Sequence, residues 1–315
     1  MFDKLKKNLI LTVVFSSLVF FLFSALADFE SVFTSIKKFN WLILPLVLLL
    51  SLGNYFVRFY KWHYYLNYLK IEIPLKLSMK IFFSGLSMSA SPGKMGEVLK
   101  SFLLKEISNE SISKTAPIIL AERITDFLSL TFITIIVGMY FNYTGMIAYV
   151  VLVFFLIVII FISNRKLAES TIAFFSKISF VKKHSERIIT LYESSYLLIK
   201  PKPLIYMFVI SVFSWSFECL GFYLILMNFD PHINLLWPVF VFSLSIIVGA
   251  ISMLPGGLGV TEGSLSLILI NGGMVKNNAV ASTILIRIAT LWFAVILGAI
   301  VLFILRKDLN KKISG

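Results

Sequence analysis

Two apolar stretches of this chain are broken in the same way. Residues 91–97 read Ser-Pro-Gly-Lys-Met-Gly-Glu, and residues 254–262 read Leu-Pro-Gly-Gly-Leu-Gly-Val-Thr-Glu. Each joins Pro-Gly-x-x-Gly to a glutamate, Glu97 or Glu262. Each is followed by an arginine inside the next apolar segment, Arg123 or Arg287. The offset between the two prolines matches the offset between the two arginines to within one residue. Proline and glycine interrupt a helix where they stand. Matched Gly/Pro-interrupted segments in the two halves of a membrane protein point to a binding site near the bilayer midplane.

The setting for these breaks is a membrane. The chain is 58% hydrophobic, with a mean hydropathy of +0.92. A soluble fold could not cover that much apolar surface. Runs of about twenty apolar residues match helical crossings, whereas barrel strands are shorter and alternate. One cysteine, Cys219, excludes an internal disulfide and a cysteine metal cluster, and it reads as a small buried hydrophobe. His63, His184 and His232 form no metal-ligand spacing. The formal charge of +13 reads as basic cytoplasmic loops rather than a nucleic-acid surface.

Along the chain, Leu9–Ala27 reads as a first span, because it is long for the apolar part of a signal peptide. Trp41–Phe59 reads as a second span ending in a basic and aromatic interface border, Arg58 to Lys61 with Trp62, Tyr64 and Tyr65. Leu77–Ser91 is too short to cross. After the first break comes an amphipathic piece, Met95–Lys105. Residues 117–141 and 145–163 are two long apolar runs, and 164–203 is a cytoplasmic segment of amphipathic surface helices. Further spans are expected at 204–229 and 279–305, with the second break and the short piece Gly263–Ile270 between them. Nearly all Lys and Arg fall inside if both termini are cytoplasmic and both breaks lie in hairpins that re-enter the face they left. The exceptions are Lys37, Lys38 and Lys276 outside, and Lys94, Arg123 and Arg287 at membrane depth.

The expected fold is therefore an all-α polytopic membrane protein forming one domain over 1–315. It has about six full transmembrane helices and two re-entrant helical hairpins related as an inverted repeat. The repeat halves are 77–141 and 235–305.

Broken backbone at this depth survives only inside protein or around a watery cavity. Pro92, Gly93, Gly96, Pro255, Gly256, Gly257 and Gly259 would form two such turns, each opening a short helix whose free N–H groups suit an anion. The alternative is plain helix packing through small residues. Glu97, Glu122, Arg123, Asp126, Glu218, Glu262 and Arg287 lie in or beside apolar segments. Each costs about 2.5–3.5 kcal/mol if left facing lipid, so each must turn inward or pair. The pairs expected are Glu97 with Arg123 and Glu262 with Arg287. A second account has the arginines grip a phosphate head group, with Lys94 as a further contact and the carboxylates holding the arginines between ligands or carrying protons. The chain lacks a nucleotide-binding loop, a zinc-protease motif and an acidic metal cluster.

The ordered set Ser91-Pro-Gly-Lys-Met-Gly-Glu97, Glu122-Arg123-x-x-Asp126, Pro255-Gly-Gly-Leu-Gly-Val-Thr-Glu262 and Arg287-x-x-x-x-Trp292 resembles the flippase-like transmembrane domain of lysylphosphatidylglycerol synthases. The resemblance covers roughly residues 5–305. In those synthases the membrane region adjoins a cytoplasmic aminoacyl transferase domain and is implicated in moving the modified lipid between leaflets. The chain given ends at Gly315, so lysyl transfer is not expected of it. The resemblance implies a substrate site of Lys94, Glu97, Glu122, Arg123, Asp126, Glu262 and Arg287, with no cofactor and no metal. The function expected is translocation or binding of an anionic lipid, a phospholipid or a polyprenyl-phosphate-linked glycan, in the plasma membrane. Two other classes stay open: a membrane-embedded enzyme acting on such lipids, and a non-catalytic partner of a lipid- or glycan-modifying enzyme. Membrane lipids are the expected partners, nucleic acid is not, and the oligomeric state is left open.

Overall fold

The computed structural model describes residues 29–91, 95–142, 146–175 and 184–314. The expected first span, Leu9–Ala27, and the first turn's Pro92, Gly93 and Lys94 lie outside them. The regular elements described are all helical. Helix α1 (Phe29–Lys38) is followed by a 3-10 turn (Trp41–Ile43) that runs directly into α2 (Leu44–Tyr68). Asn40 caps that turn by accepting from the Leu42 N–H. Next come α3 (Leu75–Leu86), a 3-10 turn (Met95–Val98) and α4 (Leu99–Ser108). Helix α5 (Ile112–Tyr140) starts at Ser111, whose hydroxyl accepts from the Lys114 N–H. Then follow α6 (Met146–Ser163), α7 (Arg165–Phe175), α8 (Ser185–Leu198) and α9 (Pro201–Phe229). The last elements are α10 (Leu236–Ile251), α11 (Val260–Asn271), α12 (Lys276–Arg287), a π-helical segment (Ile288–Trp292) and α13 (Phe293–Ser314).

Four helical stretches among the described residues are long and apolar enough to cross a bilayer: Trp41–Tyr68, Met146–Ser163, Pro201–Phe229 and Lys276–Asp308. Helix α5 has 29 residues, about 43 Å at helical rise, but carries Glu122, Arg123 and Asp126. The outer faces of the long helices are apolar and uncovered. Ile160 on α6 is 63% exposed and Phe303 on α13 is 71% exposed. Such faces suit hydrocarbon, not water. The molecule is a multi-pass membrane protein.

One expected boundary is corrected. The second span does not stop at Phe59 in an interface border but continues as helix to Tyr68. Ser51, Asn54, Tyr55, Arg58, Lys61, Trp62, Tyr65 and Leu66 are all buried, and their spacing keeps them on one face of the helix. Arg58 and Lys61 need no water because the protein supplies carboxylates for both. Of the aromatic residues beside them, Tyr55, Trp62 and Tyr65 are core.

The two short helix pairs cross-pack. Helix α3 of the first pair lies against α13, while α10 of the second pair lies against α5. The buried clusters follow this exchange. One joins Phe240, Phe242, Leu265 and Leu269 of the second pair to Leu130 and Ile133 of α5. Another joins Ile81, Phe82, Leu99 and Leu103 of the first pair to Ala294 and Leu305 of α13. Helix α9 runs against α2, α5, α10 and α12 at the centre. The second turn is built on positive φ at Gly256 (60°), Gly257 (67°) and Gly259 (82°), which side chains resist. It abuts the residue preceding the first break, since a Cβ on Gly256 would lie 3.3 Å from the Ala90 Cα. Ala90, Leu258, Leu291 and Val295 close over this junction.

The tightest approach is at Gly298, where a Cβ would stand 2.1 Å from the Ser87 nitrogen. That neighbour is backbone and cannot swing aside. Gly298→Ala is expected to destabilise the protein by about 2 kcal/mol or more. Gly263→Ala, where a Cβ meets nothing within 4 Å, is expected to be neutral or to stabilise by up to about 1 kcal/mol through helix propensity. Thermal retention of the monodisperse peak in detergent compares the two. Equal behaviour would refute the close α3–α13 contact.

Candidate functional site

Four elements converge beside the first helix pair. Helix α2 contributes Arg58 and Lys61, one turn apart on its buried face. The 3-10 turn contributes Glu97, and α4 contributes Lys100. Helix α5 contributes Glu122, Arg123 and Asp126. Glu97 is the hub, with Arg123 at 3.0 Å, Arg58 at 3.4 Å and Lys100 at 3.9 Å. Lys100 donates to Glu122 at 2.6 Å and Lys61 to Asp126 at 2.7 Å. Lys61 also donates to the Ser211 hydroxyl of α9. Arg123 lies 3.5 Å from Asp126. Together these side chains form one continuous network of four cations and three carboxylates.

Local packing places the charges. The aliphatic stem of Lys100 crosses α3 where Gly85 has no side chain; a Cβ there would be 2.6 Å from the Lys100 Cγ. The ammonium then sits 4.6 Å from the Trp62 ring centroid and 5.2 Å from that of Phe82, in cation–π range. Glu218 on α9 is also buried and interacts electrostatically with Arg58. Charges so deep survive only when paired and hydrogen-bonded.

The second copy is built differently. Arg287 donates through Nε to Glu262 at 2.6 Å and through a terminal nitrogen to the Gly256 carbonyl at 2.6 Å. The other oxygen of Glu262 accepts from the Gly259 N–H at 2.7 Å, the capping interaction that opens α11. Arg287 and Glu262 therefore tie the α12 terminus to the turn itself. Nearby, the Tyr55 hydroxyl of α2 donates to the Thr290 carbonyl at 2.5 Å, inside the π segment. Such segments release a carbonyl from the regular helical ladder.

Both anticipated ion pairs are present, Glu97 with Arg123 and Glu262 with Arg287. Glu97, Glu122, Arg123 and Asp126 come together in the network, while Glu262 and Arg287 form the second pair. Gly96 lies in the 3-10 turn, and Pro255, Gly256, Gly257 and Gly259 shape the second turn. Arg58, Lys61 and Lys100 are additional members that composition hid. Helical spacing was the signal for the first two, since both share the face of Tyr55, Trp62 and Tyr65. Lys100 stands three residues after Glu97, the spacing of a helical pair.

The network has donors to spare. The Arg123 side chain is 17% exposed, its best-exposed cation, and its Nε is buried with no hydrogen-bond partner. The Trp62 indole nitrogen and the hydroxyls of Ser84 and Ser101 are likewise buried without partners. Buried donors left unsatisfied are uncommon and mark places where water or a ligand binds. A phosphate oxygen is the acceptor that guanidinium matches best. Among the described residues no three His, Cys, Asp or Glu side chains group as a metal site.

Helical bundle, broken helix pairs and enclosed charge network define a polytopic membrane protein with an internal polar site. The chain belongs to the family described as the lysylphosphatidylglycerol synthase TM region, whose model matches residues 9–298. It is similar to a UPF0104 membrane protein of Methanocaldococcus jannaschii, 30% identical over 71% of this chain and 96% of that protein. A UPF0104 membrane protein of Pyrococcus horikoshii is 28% identical over 72% of this chain and 75% of its own length. Another, from Methanothermobacter thermautotrophicus, is 28% identical over 68% and 70% respectively.

Removing one partner of a buried pair leaves a bare charge. Lys61→Met is expected to cost about 3–5 kcal/mol, and Asp126→Leu a similar amount. The double substitution should recover most of that loss, since two apolar side chains can replace the pair. A double-mutant cycle on thermal stability in detergent measures the coupling. Additive losses would show that the two residues are not partners.

Proposed function

We propose that this protein binds the phosphate-bearing head group of an anionic lipid in the Arg58–Lys61–Lys100–Arg123 network and carries it between leaflets, the acyl or prenyl tails staying in hydrocarbon. The observation that carries the reading is the convergence of three buried cations and the partly exposed Arg123 on shared carboxylates, with the Arg123 guanidinium holding an unused donor. A buried donor without a partner is uncommon and is a place for a ligand oxygen or a water. Membership of the lysylphosphatidylglycerol synthase TM family supports a lipid-handling role.

In this reading the two short helix pairs are re-entrant hairpins entering from opposite faces, related as an inverted repeat. Six helices cross fully, counting the first span, and both termini face the cytoplasm of a cell whose plasma membrane holds the protein. The reciprocal packing of α3 on α13 and α10 on α5 supports this arrangement. Transport proceeds down the lipid gradient or is ion-coupled. Lys94, in the first turn, is a further head-group contact, and Glu262 and Arg287 hold the opposite turn.

Purified protein in liposomes with fluorescent phosphatidylglycerol tests the reading. Wild type should scramble the lipid. Arg123→Gln should slow the rate about tenfold to a hundredfold, from the loss of charge-assisted hydrogen bonds worth about 1.5–3 kcal/mol. Lys80→Ala, at the exposed pair with Asp308, should change nothing. An inactive wild type across anionic phospholipids and polyprenyl phosphates would sink translocation and favour a non-catalytic partner of a lipid-modifying enzyme.

A further inference from the structure

The buried charges balance. Among the described residues the inward-turned cations are the buried Arg58, Lys61, Lys100 and Arg287 and the partly exposed Arg123. The enclosed carboxylates are Glu97, Glu122, Asp126, Glu218 and Glu262. Five face five, so among the described residues the inward-turned cations are not in excess. A head group would add one negative charge to that balance, and a low-dielectric interior disfavours an unpaired charge. Either the anion stays out or a positive charge accompanies it.

The geometry identifies where that charge goes. Glu122 has Lys100 at 2.6 Å, Asp126 has Lys61 at 2.7 Å, and Glu262 has both oxygens held, by Arg287 and the Gly259 N–H. A ligand at Arg58 and Arg123 leaves these three arrangements in place. Glu97 is different, because of the cations around it Lys100, at 3.9 Å, is already engaged by Glu122, and the other two, Arg58 and Arg123, have side-chain exposure of 10% and 17%. A phosphate binding those guanidinium groups competes directly with the Glu97 carboxylate.

We propose that Glu97 takes up one proton for each anionic head group that binds, making lipid binding proton-coupled. This rests on the head-group reading above. The step is a protonation alone: the carboxylate gives up Arg58 and Arg123 to the phosphate and accepts a proton from water at the open face. No bond to the ligand forms. The charged groups facing Glu97 are Arg58 on α2, with Lys61 and Tyr55 nearby on the same helix. Lys100 faces it from α4, and Arg123, Glu122 and Asp126 from α5. Glu218 lies beyond Arg58 on α9. Helix α3, also packed there, brings only serines at this end, since Lys80 pairs at the surface with Asp308. Lys94 lies outside the described residues.

The sign follows from linkage: a proton taken up on binding makes affinity fall as pH rises. The test uses the full chain in nonionic detergent with short-chain phosphatidylglycerol, a phosphodiester that does not itself titrate near neutrality. In weak buffer, a pH dye should report uptake of about one proton per lipid, and affinity should fall as pH rises, by up to about tenfold per pH unit. Infrared difference spectra with carbon-13 glutamate should show a new protonated glutamate band on binding. Glu97→Gln should abolish uptake and make binding independent of pH. If that variant does not fold, Glu97→Asp, which keeps the charge, should move the new band to unlabelled aspartate. Lipid binding with no proton uptake and constant affinity overturns the coupling while leaving the head-group reading intact. Uptake surviving in Glu97→Gln, or the labelled glutamate band surviving in either variant, overturns the residue assignment. No lipid binding at any pH overturns the head-group reading and this inference with it.

Discussion

A charge enclosed in a membrane protein has to find its opposite, and that requirement dictates which helices of this chain meet. Glu97 sits on a short turn between two helices too short to cross. It is held by Arg58 from α2, Arg123 from α5 and Lys100 from α4. Lys61 and Asp126 bind α2 to α5 again, with Ser211 of α9 joining them. Lipid provides no hydrophobic drive between helices, so packing and polar contacts carry the association. Pairs of this kind add little net stability over apolar replacements. Their effect here is on register, since sliding any one of these helices by a residue would strand a charge.

Close packing supplies the other half of the architecture. At Gly298 and Gly249 the missing side chain lets one element lie directly on another. A Cβ on Gly249 would fall 1.8 Å from the Thr261 hydroxyl oxygen, across the second helix pair. At Gly298 the contact joins α13 to the end of α3, so the two halves are interlocked through backbone as well as through charge. Motion within this molecule is thus confined to rearrangements that preserve those contacts, or that break them as a unit.

Much of this was legible in the chain. Breaks at Pro-Gly-x-x-Gly stand out against apolar sequence, and the charged residues after them, Glu122, Arg123, Asp126 and Arg287, stand out for the same reason. Arg58 and Lys61 were misread because the residues around them, Trp62, Tyr64 and Tyr65, have the composition of an interface belt. A buried aromatic row has the same composition, and only helical spacing separates the two. Lys100 was read only as part of an amphipathic piece, because its partner, Glu122, is remote in sequence. Gly85, Gly249 and Gly298 could not be singled out, since their importance depends on what a second element brings within reach. The difference between the two arginines was equally invisible. Arg123 and Arg287 occupy matching sequence positions, yet their partners come from different surroundings.

That difference divides labour between the copies. Arg287 is held by Glu262 and a carbonyl of its own loop, so it works as a keel for the molecule. Arg123 retains an unused donor in a half-open setting. If the first break holds the head group as proposed, a lineage built on this plan can alter its cargo by substitutions around that break alone, leaving the second to hold the shape while the first diverges.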